Sequence, residues 1–327
     1  DLTEAEDPLA GKVFSEARLA WREEYIGEPW TIRTADGLTL VAEHTRPAGS
    51  VPPSAGERSN GDGLSENGDL PGEDGLFEGD DGEEYYIETI SPEDSHAWVI
   101  LASGIRGREL YLEDLVIELH RRGVHVLKVH LRGHGPSGGD SLGLGFLDRA
   151  DVLSWVRRVE TADPLARIVL FGFSDAAAAM LMAAPDVPPS VVGIVSDSAF
   201  TRYDRVLSRL LREQYELPVF PLMPAGNLAC YRRQGFWFSD ADPETAVANA
   251  RVPILFFHGG ADGYIPPEMA EALFEAAPGN PSLDGSAAHE KSLLIVPNAS
   301  HCRAMDAAPE TYWKLLGQFL ELRLTDR

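Results

Sequence analysis

Six short apolar runs recur through the second two thirds of the chain: AWVILAS, VHVLKVHL, RIVLFGF, VVGIVSD, VPILFFHG and KSLLIVP. Each is rich in β-branched and aromatic residues and nearly continuous in apolar character, as in strands buried on both faces. The segments between them have helical spacing. Leu112, Leu115, Val116 and Leu119 share one face of a helix ended by Gly123, and Tyr312, Leu315, Leu316, Phe319 and Leu320 share another near the C-terminus. Doubly buried strands joined by crossover helices imply an α/β fold built on a parallel sheet covered on both sides.

Ahead of this series, WTIRTADGLTLVAEH alternates apolar and polar residues about Asp36-Gly37 and reads as a β-hairpin. It brings the expected sheet to eight strands, mostly parallel. From 47 to 84 the character changes to frequent Gly and carboxylates with one Arg. Such a stretch cannot bury enough apolar surface to offset ordering entropy, and it reads as a mobile acidic insert. Some fifty residues between VVGIVSD and VPILFFHG interrupt the rhythm, with helical stretches over Arg202 to Tyr215 and about Ala225 to Gln234. The expected organisation is a helical lead-in over 1–29, a core over 30–200 and 248–327, and a small helical cap over 201–247.

At 327 residues and 44% hydrophobic content the chain buries a full core. Its net charge of −24, with no concentration of Lys and Arg, argues against nucleic acid as a partner. No apolar run reaches the roughly 18 residues of a membrane span. Cys230 and Cys302 make no disulfide framework and no metal-type spacing.

Ligands of open parallel sheets bind beyond the carboxyl ends of the strands, so the residues there carry the chemistry. RIVLFGF ends in Gly172-Phe173-Ser174-Asp175-Ala176, a G-x-S-x-A strand-to-helix corner. Small residues at 172 and 176 permit so tight a reversal, and the Asp175 N–H points with the helix N-terminus toward a developing oxyanion. The plainer reading of Ser174 is a helix cap. VPILFFHG runs into HGGADGYIPP, which puts Asp262 in a turn after its strand, and the next strand is followed by PNASHCRAM with His301. A turn aspartate before a helix and a polar loop histidine are the alternatives at those two positions.

Ser, then Asp, then His, each after its own strand, together with ADGLTL, LRGHGPSGG (131–139), GFSDA, HGGADGYIP and NASH, resembles the α/β-hydrolase superfamily. GLGFLDRADVLSWV and PETYWKLLGQFLE are similar to its bacterial branch of serine aminopeptidase-like and monoacylglycerol lipase-like hydrolases. The resemblance implies a catalytic triad of Ser174, Asp262 and His301 with an oxyanion hole from the N–H groups of Ile105 and Asp175, and neither cofactor nor metal. It makes Asp197 the runner-up acid, since some hydrolases take the acid from that strand end. Tyr203, Phe236, Trp237 and Phe238 of the cap are assigned to the substrate wall. Where relatives carry His-Gly at the oxyanion turn, this chain has Ser103-Gly104-Ile105, and Asp175 replaces the usual apolar or Gln residue. An N-terminal anchor or leader is frequent in that branch, which favours an extracytoplasmic location, secreted or formerly membrane-anchored, over a cytoplasmic one without fixing it.

Asp175 stands either as a helix-start residue or as a specificity residue for a cationic group. His130 and His134 are four apart, but Gly133 and Gly135 point to a turn and not to a helix that aligns them on a metal. Cys302 reads as packing. The expected activity is hydrolysis of a carboxylic ester with a small or medium hydrophobic group, through an acyl-enzyme on Ser174. The alternatives are a peptidase acting on amides and a catalytically impaired binding protein.

Overall fold

The computed structural model describes residues 27–47, 95–104, 109–279 and 291–325, and the two strands at 76–78 and 84–86. The expected lead-in over 1–29 lies outside the described residues as far as 26, and β1 (Glu28–Arg33) already occupies its last two positions. Most of the acidic insert also lies outside them. Near its end, β3 (Leu76–Glu78) and β4 (Glu84–Tyr86) pair antiparallel with each other.

The main sheet adds β2 (Thr39–Thr45), β5 (Ala97–Ala102), β6 (His125–Val129), β7 (Arg167–Phe173), β8 (Val191–Asp197), β9 (Ile254–Gly259) and β10 (Ser292–Val296). Its eight strands run in the order β1-β2-β6-β5-β7-β8-β9-β10. β2 is antiparallel to both of its neighbours, and every pair from β6 to β10 is parallel. Phe173, Asp197 and Phe257 are in register, so the carboxyl ends of β7, β8 and β9 end at one level. That alignment brings residues distant in sequence to one edge of the sheet.

Nine α-helices are described: α1 (Glu109–Arg121), α2 (Asp148–Ala162), α3 (Asp175–Ala183), α4 (Tyr203–Arg209), α5 (Val219–Gln234), α6 (Pro243–Val247), α7 (Pro267–Ala276), α8 (Ala304–Ala307) and α9 (Pro309–Leu324). They cover both faces. Trp155, Val156 and Val159 of α2 and the alanines of α3 fill one side of the sheet, and Leu115 and Leu119 of α1 with Leu316 and Leu320 of α9 fill the other. The central strands are consequently buried, β5 and β9 at every position and β7 and β8 at all but one, whereas β10 at the sheet edge is mostly half-buried. Over 201–247 lie α4, a π-helical turn at Leu210–Gln214, α5 and α6. Val206, Leu210, Cys230 and Phe236 of this region close a third apolar cluster against Leu144, Ala178 and Ile265. Among the described residues no helix is long and apolar enough to cross a membrane.

Candidate active site

Ser174 sits between β7 and α3 with φ 58° and ψ −122°, a left-handed backbone that a non-glycine residue adopts only under local constraint. The constraint is visible at Gly172: a Cβ there would lie 2.5 Å from the Ala177 nitrogen and 2.6 Å from the Ala176 carbonyl carbon. The helix therefore leaves the strand at a distance only Gly permits. The Ser174 N–H donates to the Asp197 carbonyl at the end of β8 (2.8 Å), which holds the corner against the neighbouring strand.

His301, in the loop after β10, faces this serine. Its Nε2 is 2.9 Å from Ser174 Oγ and its Nδ1 is 2.6 Å from Asp262 Oδ2. Asp262 is 4% exposed, and its Oδ1 accepts the N–H groups of Tyr264 and Ile265, both at 2.8 Å. Burial by itself raises a carboxyl pKa. Hydrogen bonding from His258 and His301 and the Ile265 N–H outweigh it, and hold Asp262 well below the usual carboxylate range. The acid is thus ionised and aimed at the ring nitrogen distal to the serine.

Asp197 does not hydrogen-bond to His301. Fully buried, it accepts the Tyr312 hydroxyl (2.9 Å) and the Ser198 hydroxyl (2.8 Å), and burial pushes its pKa up. Ser198 Oγ in turn accepts the Cys302 N–H at 3.1 Å. Asp197 therefore braces the loop that carries His301, through Ser198 and Cys302. His258 plays a similar part beneath Asp262: its Nε2 donates to the Ile265 carbonyl at 2.9 Å and lies 3.4 Å from Asp262 Oδ2. Tyr312, Ser198 and His258 escaped sequence reasoning, two inside apolar stretches and one in a loop. The Cys302 thiol is driven well above its usual pKa by burial, in keeping with a packing role.

Gly104 comes up beside the serine. A Cβ on Gly104 would strike the Asp175 carboxylate and lie 2.8 Å from Ser174 Cβ, so this turn fits only without a side chain. Ile105 lies outside the described residues. Asp175, the first residue of α3, is 4% exposed. Its Oδ2 is 4.0 Å from His134 Nε2, and His134 Nδ1 donates to the Arg132 carbonyl at 3.0 Å. Behind it, Asp148 is pushed up to about 7 by its own burial and by the Asp175 charge. Arg132 forms a paired contact with Asp151 at 2.7 and 2.8 Å and also binds Asp36, joining this turn to the first hairpin. Gly133 and Gly135 have φ of 71° and 49°, so His130 and His134 occupy turns.

Ser174 and His301 open into a cavity of about 570 Å³. Phe200, Tyr203, Val206, Leu207, Leu210 and Leu211 form most of its wall, with Tyr215 and Tyr264 at the exposed rim. Of the four expected wall residues only Tyr203 lines it. Phe236 is 1% exposed and stacks on Phe146, Phe238 packs edge-on against Tyr203 from behind, and Trp237 stacks on Tyr231 away from the cavity. Residues of α4 and the π-turn supply the wall in their place.

The strand order, the helices on both faces and the serine corner at the end of β7 are those of the α/β-hydrolase fold. The esterase Pf2001 of Pyrococcus furiosus superposes with a TM-score of 0.61 at 18% identity, covering 92% of this chain and 94% of its own. The acylaminoacyl peptidase of Pyrococcus horikoshii gives a TM-score of 0.58 at 14% identity over 94% of this chain and 44% of the other. In sequence, the Bacillus subtilis (strain 168) uncharacterized protein YqkD is 27% identical over 238 residues, 71% of this chain and 73% of that protein. The uncharacterized protein Rv2307c of Mycobacterium tuberculosis (strain H37Rv) is also 27% identical, over 205 residues and 62% of each chain. No family model matches.

Proposed function

We propose that the protein is a serine hydrolase that cleaves carboxylic esters with a small or medium hydrophobic group. The observation that carries this reading is the His301 bridge, 2.9 Å to Ser174 Oγ on one side and 2.6 Å to Asp262 on the other. In the proposed reaction His301 Nε2 takes the Ser174 proton as Oγ attacks the acyl carbonyl, and Asp262 stabilises the imidazolium. The Asp175 N–H, in the first turn of α3 where helix N–H groups point outward along the axis, meets the oxyanion together with the Ile105 N–H. His301 then gives its proton to the departing alkoxide. Water, activated by the same histidine, releases the acid from Ser174.

Most of the cavity wall is apolar and suits an alkyl or aryl group, with the Asp175 carboxylate lining it beside Ser174, and its volume is that of a small-molecule site. Neighbours of the same fold that are named esterase and acylaminoacyl peptidase make ester and amide the bonds to compare. The test is hydrolysis of p-nitrophenyl acetate, butyrate and octanoate beside the matching p-nitroanilides. Ester turnover that falls at least about 10³-fold in both Ser174→Ala and His301→Ala is the expected result. Preferential cleavage of anilides moves the assignment to a peptidase, and no turnover by the folded protein moves it to a binding protein.

A further inference from the structure

Among the described residues, most of the large apolar side chains that stand out into solvent come from one stretch of the cap. Tyr215, Leu217, Phe220, Leu222, Leu228, Tyr231 and Trp237 are 36–78% exposed, with Phe220 the most exposed of all, and Tyr264 at the cavity rim is 36% exposed. Their arrangement follows from α5. Its less exposed positions, Met223, Gly226, Asn227, Cys230 and Gln234, recur at spacings of three and four, so this stripe packs inward. The outward face of such a helix is ordinarily polar. Here it carries Leu222, Leu228 and Tyr231, and its only charged residues are Arg232 and Arg233.

Charge singles out the same region. The chain has a net charge of −24 and 52 carboxylates, yet no Asp or Glu occurs from Leu217 to Ser239. From Arg202 to Trp237 there are six arginines against three carboxylates. Arg212 and Arg232 are exposed and have no ion-pair partner among the described residues. Exposed apolar side chains flanked by arginines match the chemistry of an anionic bilayer surface, whose headgroups take the cations while its acyl boundary takes the apolar groups.

We propose that the outer face of this cap docks on a lipid surface bearing anionic headgroups, with Phe220, Leu217 and Leu222 entering the acyl boundary and Arg212 and Arg232 at the headgroups. A second copy of the chain is a poorer occupant, because a two-fold interface would set this arginine-bearing face against itself. It would also cover the cavity rim, since Tyr215 belongs to the exposed face and to the cavity wall alike. Docked on a bilayer, the same rim faces the lipid, and an apolar ester reaches Ser174 without crossing water. The docking itself does not depend on turnover.

The test is sedimentation of the full chain with vesicles of phosphatidylcholine alone and with 30% phosphatidylglycerol. Binding to the mixed vesicles, at least tenfold stronger than to phosphatidylcholine and weakened by salt, is expected. Phe220→Glu combined with Leu222→Glu should abolish it, and Arg212→Gln combined with Arg232→Gln should reduce it several-fold. Neither pair lines the cavity, so hydrolysis of a soluble acetate ester should stay unchanged and serves as the check on folding. Absence of binding, equal binding to both vesicles, or binding indifferent to both pairs overturns the proposal. So does a concentration-dependent dimer, seen by light scattering, that Phe220→Glu dissolves.

Discussion

His301 Nδ1 lies 2.6 Å from Asp262 Oδ2, whereas Asp197, at the end of the adjacent strand, gives both of its carboxylate oxygens to Tyr312 and Ser198. Asp262→Asn should therefore lower kcat on an aryl ester by about 10³- to 10⁴-fold, because an amide no longer enforces the tautomer that leaves Nε2 free to accept. Asp197→Asn should cost less than tenfold in kcat but reduce stability by about 1–3 kcal/mol, since one hydroxyl donor then meets an NH₂ group. Kinetics and urea unfolding of both variants check the pair. A reversed ranking in kcat makes Asp197 the acid.

Gly104 touches the site through its missing side chain. Gly104→Ala places a methyl against the Asp175 carboxylate and Ser174 Cβ, and should lower kcat/KM by about 10²-fold through displacement of the nucleophile. The melting temperature should change far less than in Gly172→Ala, whose methyl meets helix backbone at 2.5 Å. Equal activity in Gly104→Ala would show that the turn gives way freely.

The cavity wall fixes which cap substitutions alter selectivity. Leu207→Trp should depress turnover of octanoate relative to acetate esters at least tenfold, by filling the space the longer chain occupies. Trp237→Ala should leave that ratio within twofold, since its ring stacks on Tyr231 and not on the wall. A ratio moved by Trp237 and not by Leu207 would locate the acyl group elsewhere.

Acid should unfold the protein through a group of buried and half-buried histidines beside β2 and β6. Burial holds His44 down to about 3 and His120 and His125 down to about 4, each below an ordinary 6.5. Their folded pKa values are depressed, so the unfolded chain takes up three more protons as pH falls below 6.5, and stability is lost toward pH 4. Asp148, raised to about 7, contributes one proton in the opposite sense. The histidines outnumber the buried carboxyl, so stability should fall as pH drops from 6.5 toward 4. Urea unfolding across that range should show this fall, and His120→Gln should make it shallower. A flat profile contradicts the burial of these rings in neutral form.

The positions of Ser174, Asp262 and His301 were legible because each follows a strand, and a parallel sheet brings strand ends together whatever their separation in sequence. The braces behind them were not. Tyr312 belongs to the apolar stripe of a C-terminal helix, and only the packed structure shows its hydroxyl reaching Asp197. His258 lies inside an apolar strand, where its bond to the Ile265 carbonyl depends on the path of the following turn. The cap inverts the simple reading of its aromatics. Phe236 is buried against Phe146, while the wall is made by Val206, Leu207, Leu210 and Leu211, whose spacing reads equally well as ordinary helix core. Which side of a cap faces the sheet depends on how it folds back, and hydrophobic periodicity does not encode that.

The central claim is that Ser174 is a nucleophile activated by His301. Intact-mass spectrometry after incubation with a fluorophosphonate reads it directly. The account predicts one adduct per chain, mapped by peptide sequencing to Ser174, absent in Ser174→Ala and slowed at least about 10³-fold in His301→Ala. A folded protein that takes up no label, or one that carries it on a different residue, contradicts the account.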